Sequence, residues 1–168
     1  MKKSHLGFAA IVVLLLIVAS NFIHLPGPEI PQSPTDAPVF SHDKLTLRRA
    51  DGQTFPFDIE MATTPKEAMY GLMFRRSIEP QTGMLFLWDP DHQVSMWMKN
   101  TYIPLDMLFI RRDGTIEKIV THAVPLDLTP IPSEEPIHGI LEIKAGEVER
   151  LGLKTEDKVL FWAFSTAP

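Results

Sequence analysis

Two Asp-Gly pairs, Asp51-Gly52 and Asp113-Gly114, are the features that most constrain the fold of this chain. Asp-Gly favours the two-residue turns that join antiparallel strands. Each pair is flanked by two segments rich in apolar and β-branched residues, which are 44–49 and 53–61 for the first pair and 105–111 and 115–120 for the second. In segment 53–61 apolar and polar residues alternate, as in a strand with one buried face. The sequence therefore predicts two β-hairpins.

Further strands and two short helices are predicted along the rest of the chain. The additional strands are 84–88 and 94–98, joined by a turn at 89–91, and then 137–143 and 159–164. A capping box at 64–67 predicts a helix that runs to about Phe74. Residues 147–151, closed by Gly152, predict a second helix. We therefore expect a mainly β, jelly-roll-like antiparallel sandwich or barrel with two short helices, as one domain over residues 44–165.

The N-terminal residues 1–25 are predicted to lie outside this domain. Lys2 and Lys3 precede an unbroken apolar run from Leu6 to Ala19, which is the order found in export signals. Small residues at 18–20 would suit cleavage, whereas an uncleaved anchor over residues 6–25 would reach the length of about 20 residues that spans a membrane. Both alternatives predict a hydrophobic signal or anchor helix, contact with the membrane through this segment only, and a periplasmic or other extracytoplasmic location in the cell envelope.

The composition of the chain indicates a linker after the N-terminal segment and excludes some kinds of partner and chemistry. Residues 26–43 are rich in proline and predict an extended linker. Without Lys2 and Lys3, 14 basic residues stand against 21 acidic ones, which argues against nucleic acid as a partner. The chain has no cysteine, so disulfides and thiolate chemistry are excluded.

Polar residues in the apolar stretch 96–110 (MWMKNTYIPLDMLFI) mark a candidate site. Asp106 lies within an apolar strand, and a buried carboxylate must be neutralised or given partners. It could be a general acid or base, or an anchor for a ligand, with Lys99 or Asn100 nearby. It could instead be a structural lock that accepts N–H groups from the turn at Asn100 and Thr101 and pairs with Lys99.

Glu142 and Trp97 each allow a functional and a structural interpretation. If the strands of Glu142 and Asp106 are neighbours, the two carboxylates could share a face and perform acid–base catalysis on a glycoside-like substrate. Simple alternation would instead place Glu142 on the solvent face. Trp97, beside Lys99, could be a platform for a sugar or peptide, or part of the core.

Met96 and Met98 are two apart on a predicted strand and therefore point to the same side. Thioethers select Cu(I), so a periplasmic copper site completed by Met84 or His92 is one hypothesis. Methionine is also a common filler of irregular cores. Apart from this alternative, no metal or cofactor is expected.

The chain resembles the domain of unknown function 192 family, which is an uncharacterised family of bacteria and archaea. The resemblance covers about residues 45–162 and rests on short motifs that occur here as Gly71-Leu72-Met73, Gly83-Met84-Leu85-Phe86, Trp97-Met98-Lys99-Asn100-Thr101, Pro104-Leu105-Asp106, Gly114, Pro125, Leu141-Glu142, Ala145-Gly146, Gly152 and Asp157. It implies a mainly β, jelly-roll-like fold and no particular activity. Glu156 departs from the family pattern, which usually has glycine at that position.

The leading interpretation is a non-enzymatic binding or accessory module of the cell envelope, for an unknown small polar or envelope ligand. The candidate ligand-binding residues are Trp97, Lys99, Asn100, Thr101, Asp106 and Glu142. The proline-rich loop 121–136 is expected to cover the polar cluster. The alternatives are an acid–base enzyme that uses Asp106 with Glu142 or Lys99, and the Cu(I) protein.

Overall fold

The computed structural model describes residues 30–164. After a short 3-10 helix at Pro34–Asp36, the elements within these residues are β1 Ser41–Arg48, β2 Thr54–Ala62, α1 Pro65–Tyr70, β3 Thr82–His92, β4 Ser95–Met96, β5 Leu105–Ile110, β6 Ile116–Ala123, β7 Ile131–Pro132, β8 Ile137–Lys144, α2 Glu147–Leu151 and β9 Lys158–Leu160. The prediction of a mainly β fold with two short helices is confirmed.

Seven of the strands form one sheet in the order β6-β5-β8-β3-β2-β1-β9. The sheet curls into a half-barrel, and its edge strands meet at one end, where Val159 N–H donates to the carbonyl of Gly114 at 2.7 Å and Ile116 N–H donates to that of Asp157 at 2.9 Å. The expectation of a purely antiparallel sandwich is wrong in one respect, because β2 and β3 pair in parallel. Strands β4 and β7 form a separate two-stranded sheet.

Both Asp-Gly hairpins are confirmed, but the predicted hairpin over residues 84–98 is wrong. Strand β3 continues through residues 89–91 and ends at His92. Residues 82–86 of β3 pair with β2, and residues 83–87 pair with β8. The segment after His92 does not fold back on β3, and Ser95 and Met96 pair with β7 instead.

Both helices begin and end where local chemistry dictates. At the start of α1, Glu67 N–H donates to Thr64 Oγ1 at 3.2 Å and Thr64 N–H donates to Glu67 Oε2 at 2.9 Å, which is the predicted capping box. Helix α1 ends at Tyr70 rather than near Phe74, because Gly71 adopts φ 49°, outside the right-handed helical region. Helix α2 is closed by Gly152, as predicted.

The sheet separates two hydrophobic cores. The barrel core draws buried residues from all seven strands and from α2, including Leu47, Leu85, Leu141, Ile143 and Val148. The second core lies on the other face of β3, β5 and β8, where Met84, Phe86, Met107 and Ile140 pack against residues of α1 and the loops. Strands β5 and β8 are apolar on both faces because each face is covered.

The N-terminal part of the described chain packs on the domain. Phe40 is buried in the second core, β1 begins at Ser41, and Tyr70 Oη donates to the carbonyl of Pro34 at 3.4 Å. Residues 30–43 of the predicted linker are thus partly folded. The predicted signal or anchor, residues 1–25, lies outside the described residues. Within 30–164, no helix combines the length and the hydrophobicity needed to cross a bilayer.

Candidate functional site

Asp106 is fully buried and fully hydrogen-bonded. Its Oδ1 accepts the N–H of His122 at 2.9 Å, and its Oδ2 accepts those of Gly146 and Val148, both at 3.0 Å. The predicted partners, Lys99 and the turn at Asn100 and Thr101, make none of these bonds. The structural interpretation of Asp106 as a lock is supported, but its partners are different from those expected.

Through these hydrogen bonds, the Asp106 lock joins strand β5 to strand β6 and to helix α2. Helix α2 has Gly146 as N-cap, with no side chain of its own to cap the helix, so the carboxylate of Asp106 supplies the capping oxygen from β5. His122 lies where the β5–β6 register shifts between Leu105 and Met107, and its φ of 54° directs its N–H to Asp106. Asp106 therefore fixes both the bulge and the helix start.

Glu142 lies on the opposite face of the sheet from Asp106. In the β5–β8 ladder, Asp106 is paired with Ile143 and Met107 is paired with Glu142. Since neighbouring residues of a strand point to opposite faces, Asp106 faces the barrel core while Glu142 faces the second core. The predicted sharing of one face by these two carboxylates is wrong, although their strands are neighbours as expected.

The side chain of Glu142 is buried without a protein partner. The residue is 4% exposed and, within residues 30–164, its carboxyl group accepts and donates no hydrogen bond. Its neighbours across the strands are Met84 and Met107. Burial raises the pKa of Glu142 to about 8, because the charged form loses hydration that nothing replaces. At neutral pH the group is mainly a neutral carboxylic acid, which can both donate and accept a hydrogen bond.

The carboxyl group of Glu142 lines a cavity of about 370 Å³. The cavity lies on the second-core side, between α1, β3 and the segment 94–101. Trp97, Lys99 and Thr101 line it together with Glu142, so four of the six predicted ligand-binding residues converge there. Small-molecule pockets measure about 300–1,000 Å³, so this cavity suits a small ligand.

Lys99 and Trp97 form a cation–aromatic pair in this cavity. The Nζ of Lys99 lies 5.5 Å from the centroid of the Trp97 ring, and 38% of Trp97 is exposed. Lys99 forms no ion pair with any residue of the described chain. Thr101 is buried, and its hydroxyl donates to the carbonyl of Lys99 at 3.3 Å. The functional interpretation of Trp97 as a platform is therefore compatible with the structure.

Asn100 is not part of this cavity. It adopts φ 56°, and its side-chain amide donates to the carbonyl of Pro31 at 3.0 Å, which ties the N-terminal segment to the turn. Loop 121–136 was expected to cover the polar cluster; it contacts the same turn but does not line the cavity. Met98 N–H donates to the carbonyl of Asp127 at 2.9 Å, and Leu126 N–H donates to that of Thr101 at 3.1 Å.

The three methionines proposed as copper ligands belong to or pack against the second core, whereas His92 is exposed. Met84 and Met98 are fully buried in the second core, Met96 lines the cavity, and His92 is exposed. Met84 pairs with Glu142 and His92 pairs with Ile137, so the two residues are separated by the length of five residues of β8, which is about 17 Å. Among residues 30–164, no group of three or more His, Cys, Asp or Glu side chains could hold a metal ion.

Sequence reasoning missed three aromatic residues of the cavity, Tyr70, Phe86 and Trp88. Phe86 and Trp88 are two apart on β3 and stack with their ring centroids 6.3 Å apart. Their spacing of two residues predicts a common face. Only the course of β3 reveals that this face meets α1 and Glu142.

Two solved structures are similar to this chain. A crystal structure of a protein proposed to be a transcription regulator, from Sinorhizobium meliloti 1021, is 43% identical, with a TM-score of 0.72 over 73% of this chain and 95% of that chain. A protein of unknown function from Novosphingobium aromaticivorans DSM 12444 is 34% identical, with a TM-score of 0.69 over 78% of this chain and 99% of that one. No curated protein matches significantly.

The family model for domain of unknown function 192, described as Uncharacterized ACR, matches residues 46–161. This range contains strands β2 to β9, the C-terminal end of β1, the Asp106 lock and the Glu142 cavity. The chain belongs to the domain of unknown function 192 family.

Proposed function

We propose that this protein is a non-enzymatic binding module whose cavity, lined by Trp97, Lys99, Thr101 and Glu142, takes a small polar ligand. The observation that carries the proposal is the Glu142 carboxyl group, which is buried at a cavity and has no hydrogen-bond partner among residues 30–164. Its oxygens are not sealed inside the protein but open to the cavity, and their withdrawal from bulk water without a protein partner costs stability. A ligand that satisfies it would recover part of that cost on binding.

The rim of the cavity supports recognition of a ligand with both polar and apolar parts. Trp97 offers an exposed ring face, and Lys99 offers a charge that no described carboxylate neutralises. A mostly apolar lining with a few convergent polar groups is typical of small-molecule sites. Asp106 has no part in this proposal, because its oxygens are already bonded to three backbone N–H groups.

We propose further that the module works in the cell envelope. Lys2 and Lys3 before the apolar run from residue 6 to 19 support export, as a cleaved signal or as an anchor. The net charge of −5 does not favour contact with nucleic-acid phosphates, so the regulatory role proposed for the Sinorhizobium relative is not extended to this chain. Fractionation of expressing cells, with and without residues 1–25, tests the location.

A thermal-shift screen of the full chain tests the binding function. Sugars, peptidoglycan fragments and short amino-containing compounds are the probes, since a ligand that binds the native state raises its apparent stability. We expect a shift with wild type that Trp97→Ala reduces. Trp162→Ala is the matched control, because Trp162 is 75% exposed and does not line the cavity, so it should keep the shift. The absence of any shift across the screen would contradict the proposal.

A further inference from the structure

The chemistry of the cavity narrows the class of ligand, and this step rests on the proposed function. Two complementary groups have no hydrogen-bond or ion-pair partner among the described residues: the carboxyl group of Glu142 and the ammonium group of Lys99, whose one contact is with the Trp97 ring. Both line the same cavity. An ion pair between them is not formed in the structure, so each is available to a ligand.

A cationic group is the partner that would gain most from Glu142. In a cavity of low polarity, a charge-assisted hydrogen bond between an ammonium group and a carboxylate is about twice as strong as one between neutral groups. A neutral ligand could bond only to the protonated acid. An ammonium ligand would supply the opposite charge that the ionised form lacks.

The aromatic lining favours the same ligand group. Tyr70, Phe86, Trp88 and Trp97 all line the cavity, and the faces of such rings attract cations. The contact between Lys99 Nζ and Trp97 shows that one of these rings already lies against an ammonium group.

Lys99 argues against a ligand that carries only positive charge. Its ammonium group would repel a simple amine in the same cavity and would attract an anionic group such as a carboxylate. We propose that the cavity binds a small zwitterion, with its ammonium group against Glu142 and its anionic group against Lys99.

Proton release on binding is the signature of this arrangement. Glu142 is mainly protonated at pH 7, and pairing with an ammonium group requires it to ionise. The other titratable groups that line the cavity are Lys99 and Tyr70, and the strand neighbours Met84 and Met107 do not titrate. Binding at pH 7 should therefore release about one proton for each ligand.

Calorimetry with the full chain tests the inference. The probes are glycine, 4-aminobutanoate and 6-aminohexanoate, which separate the two charges by increasing lengths, and hexylamine and hexanoate, which lack one charge each. Titrations in buffers of different ionisation enthalpy measure the protons released. We expect at least one zwitterion to bind at least tenfold more tightly than both singly charged probes and to release about one proton.

Two variants test which side chain contacts each charged group of the ligand. Glu142→Gln should weaken zwitterion binding at least tenfold and abolish proton release, and it is isosteric with the neutral acid already present. Lys99→Met should weaken binding of the zwitterion but not of hexylamine. Lys154→Met is the matched control, because Lys154 is exposed and does not line the cavity.

The outcomes separate this inference from the proposed function. If a sugar or peptidoglycan fragment binds with dependence on Trp97 and no zwitterion does, the binding module stands and the zwitterion is overturned. Zwitterion binding without proton release would also overturn the pairing with Glu142. If no probe in either experiment binds, the proposed function itself fails.

Discussion

Two buried carboxyl groups on neighbouring strands, Asp106 and Glu142, differ in what surrounds them. Asp106 accepts three backbone N–H groups from β6 and from the start of α2. Glu142, one position out of register and on the other face, receives none from the described chain. Both interrupt an apolar strand, yet one holds the fold together and the other faces a cavity. Burial of a carboxyl group therefore marks a site only when the protein leaves its oxygens without donors.

Asp106→Asn should have the largest effect on stability. The amide replaces one acceptor oxygen with an NH₂ group that faces a buried N–H donor, and the negative charge at the N-cap of α2 is lost. Hydrogen bonds to charged groups contribute about 1.5–3 kcal/mol each, so we expect the free energy of unfolding to fall by about 4 kcal/mol. Urea denaturation at pH 7 measures it. A loss below about 1 kcal/mol would contradict the lock.

Glu142→Gln should have the opposite effect and increase the free energy of unfolding relative to wild type, by an amount that grows as the pH rises from about 4.5 to about 8. The pKa of Glu142 is raised from 4.5 to about 8 in the folded state, so wild-type stability falls as the pH rises through this window. Full exclusion of water would make the loss roughly 5 kcal/mol, and hydration through the open cavity reduces it. We expect the glutamine variant to match wild type closely at pH 5 and to be more stable by about 3 kcal/mol at pH 9.

Denaturation curves of wild type and variant at pH 5, 7 and 9 measure this difference. Glu149→Gln, which changes an exposed glutamate on α2, is the matched control and should leave the pH dependence as in wild type. Parallel stability–pH profiles for wild type and Glu142→Gln would show that the carboxyl group of Glu142 already has a partner.

Asp157→Asn should lower the free energy of unfolding by less than Asp106→Asn does, because Asp157 accepts two backbone N–H groups instead of three. Its Oδ1 accepts Ala50 N–H and its Oδ2 accepts Lys154 N–H, both at 2.8 Å, and the residue is 5% exposed. Asparagine keeps one of these bonds, so we expect a loss of about 2 kcal/mol by urea denaturation. An effect equal to or greater than that of Asp106→Asn would show that the number of donors does not set the cost.

The fold was predictable where local chemistry is sufficient. Asp-Gly turns, the capping box at Thr64 and the helix stop at Gly152 are each determined by a few adjacent residues, and each is confirmed. The parallel β2–β3 pair and the passage of β3 through Asp89-Pro90-Asp91 were not predictable. They depend on which edges other strands occupy, and no local pattern encodes that.

The candidate site was predictable in its residues but not in its grouping. Trp97, Lys99, Thr101 and Glu142 were identified from polarity in apolar segments, and they line one cavity. Asp106 was grouped with them because it is close in sequence, whereas the pairing of β5 with β8 places it on the other face. The alternation of side chains along a strand shows which residues of that strand share a face of the sheet. Only the register between strands shows which residues of two strands lie on the same face.

Glu156→Gly tests the turn beside Asp157 and should have the smallest effect. Glu156 adopts φ 72°, a left-handed conformation that suits glycine, the usual residue of the family pattern there. Relief of the Cβ clash gains roughly 1 kcal/mol, and the greater freedom of the unfolded glycine offsets about half of that. The ion pair of Glu156 with Arg111, at 2.7 Å, is exposed and contributes little.

The expected gain is therefore about 0.5 kcal/mol, measured as a rise in the midpoint of thermal unfolding. Glu156→Ala is the control, because it also removes the ion pair but keeps Cβ in the left-handed conformation, so it should not stabilise. If alanine and glycine stabilise equally, the strain at Glu156 is not steric. Loss of the Glu156 carboxylate, which both variants share, would then account for the gain.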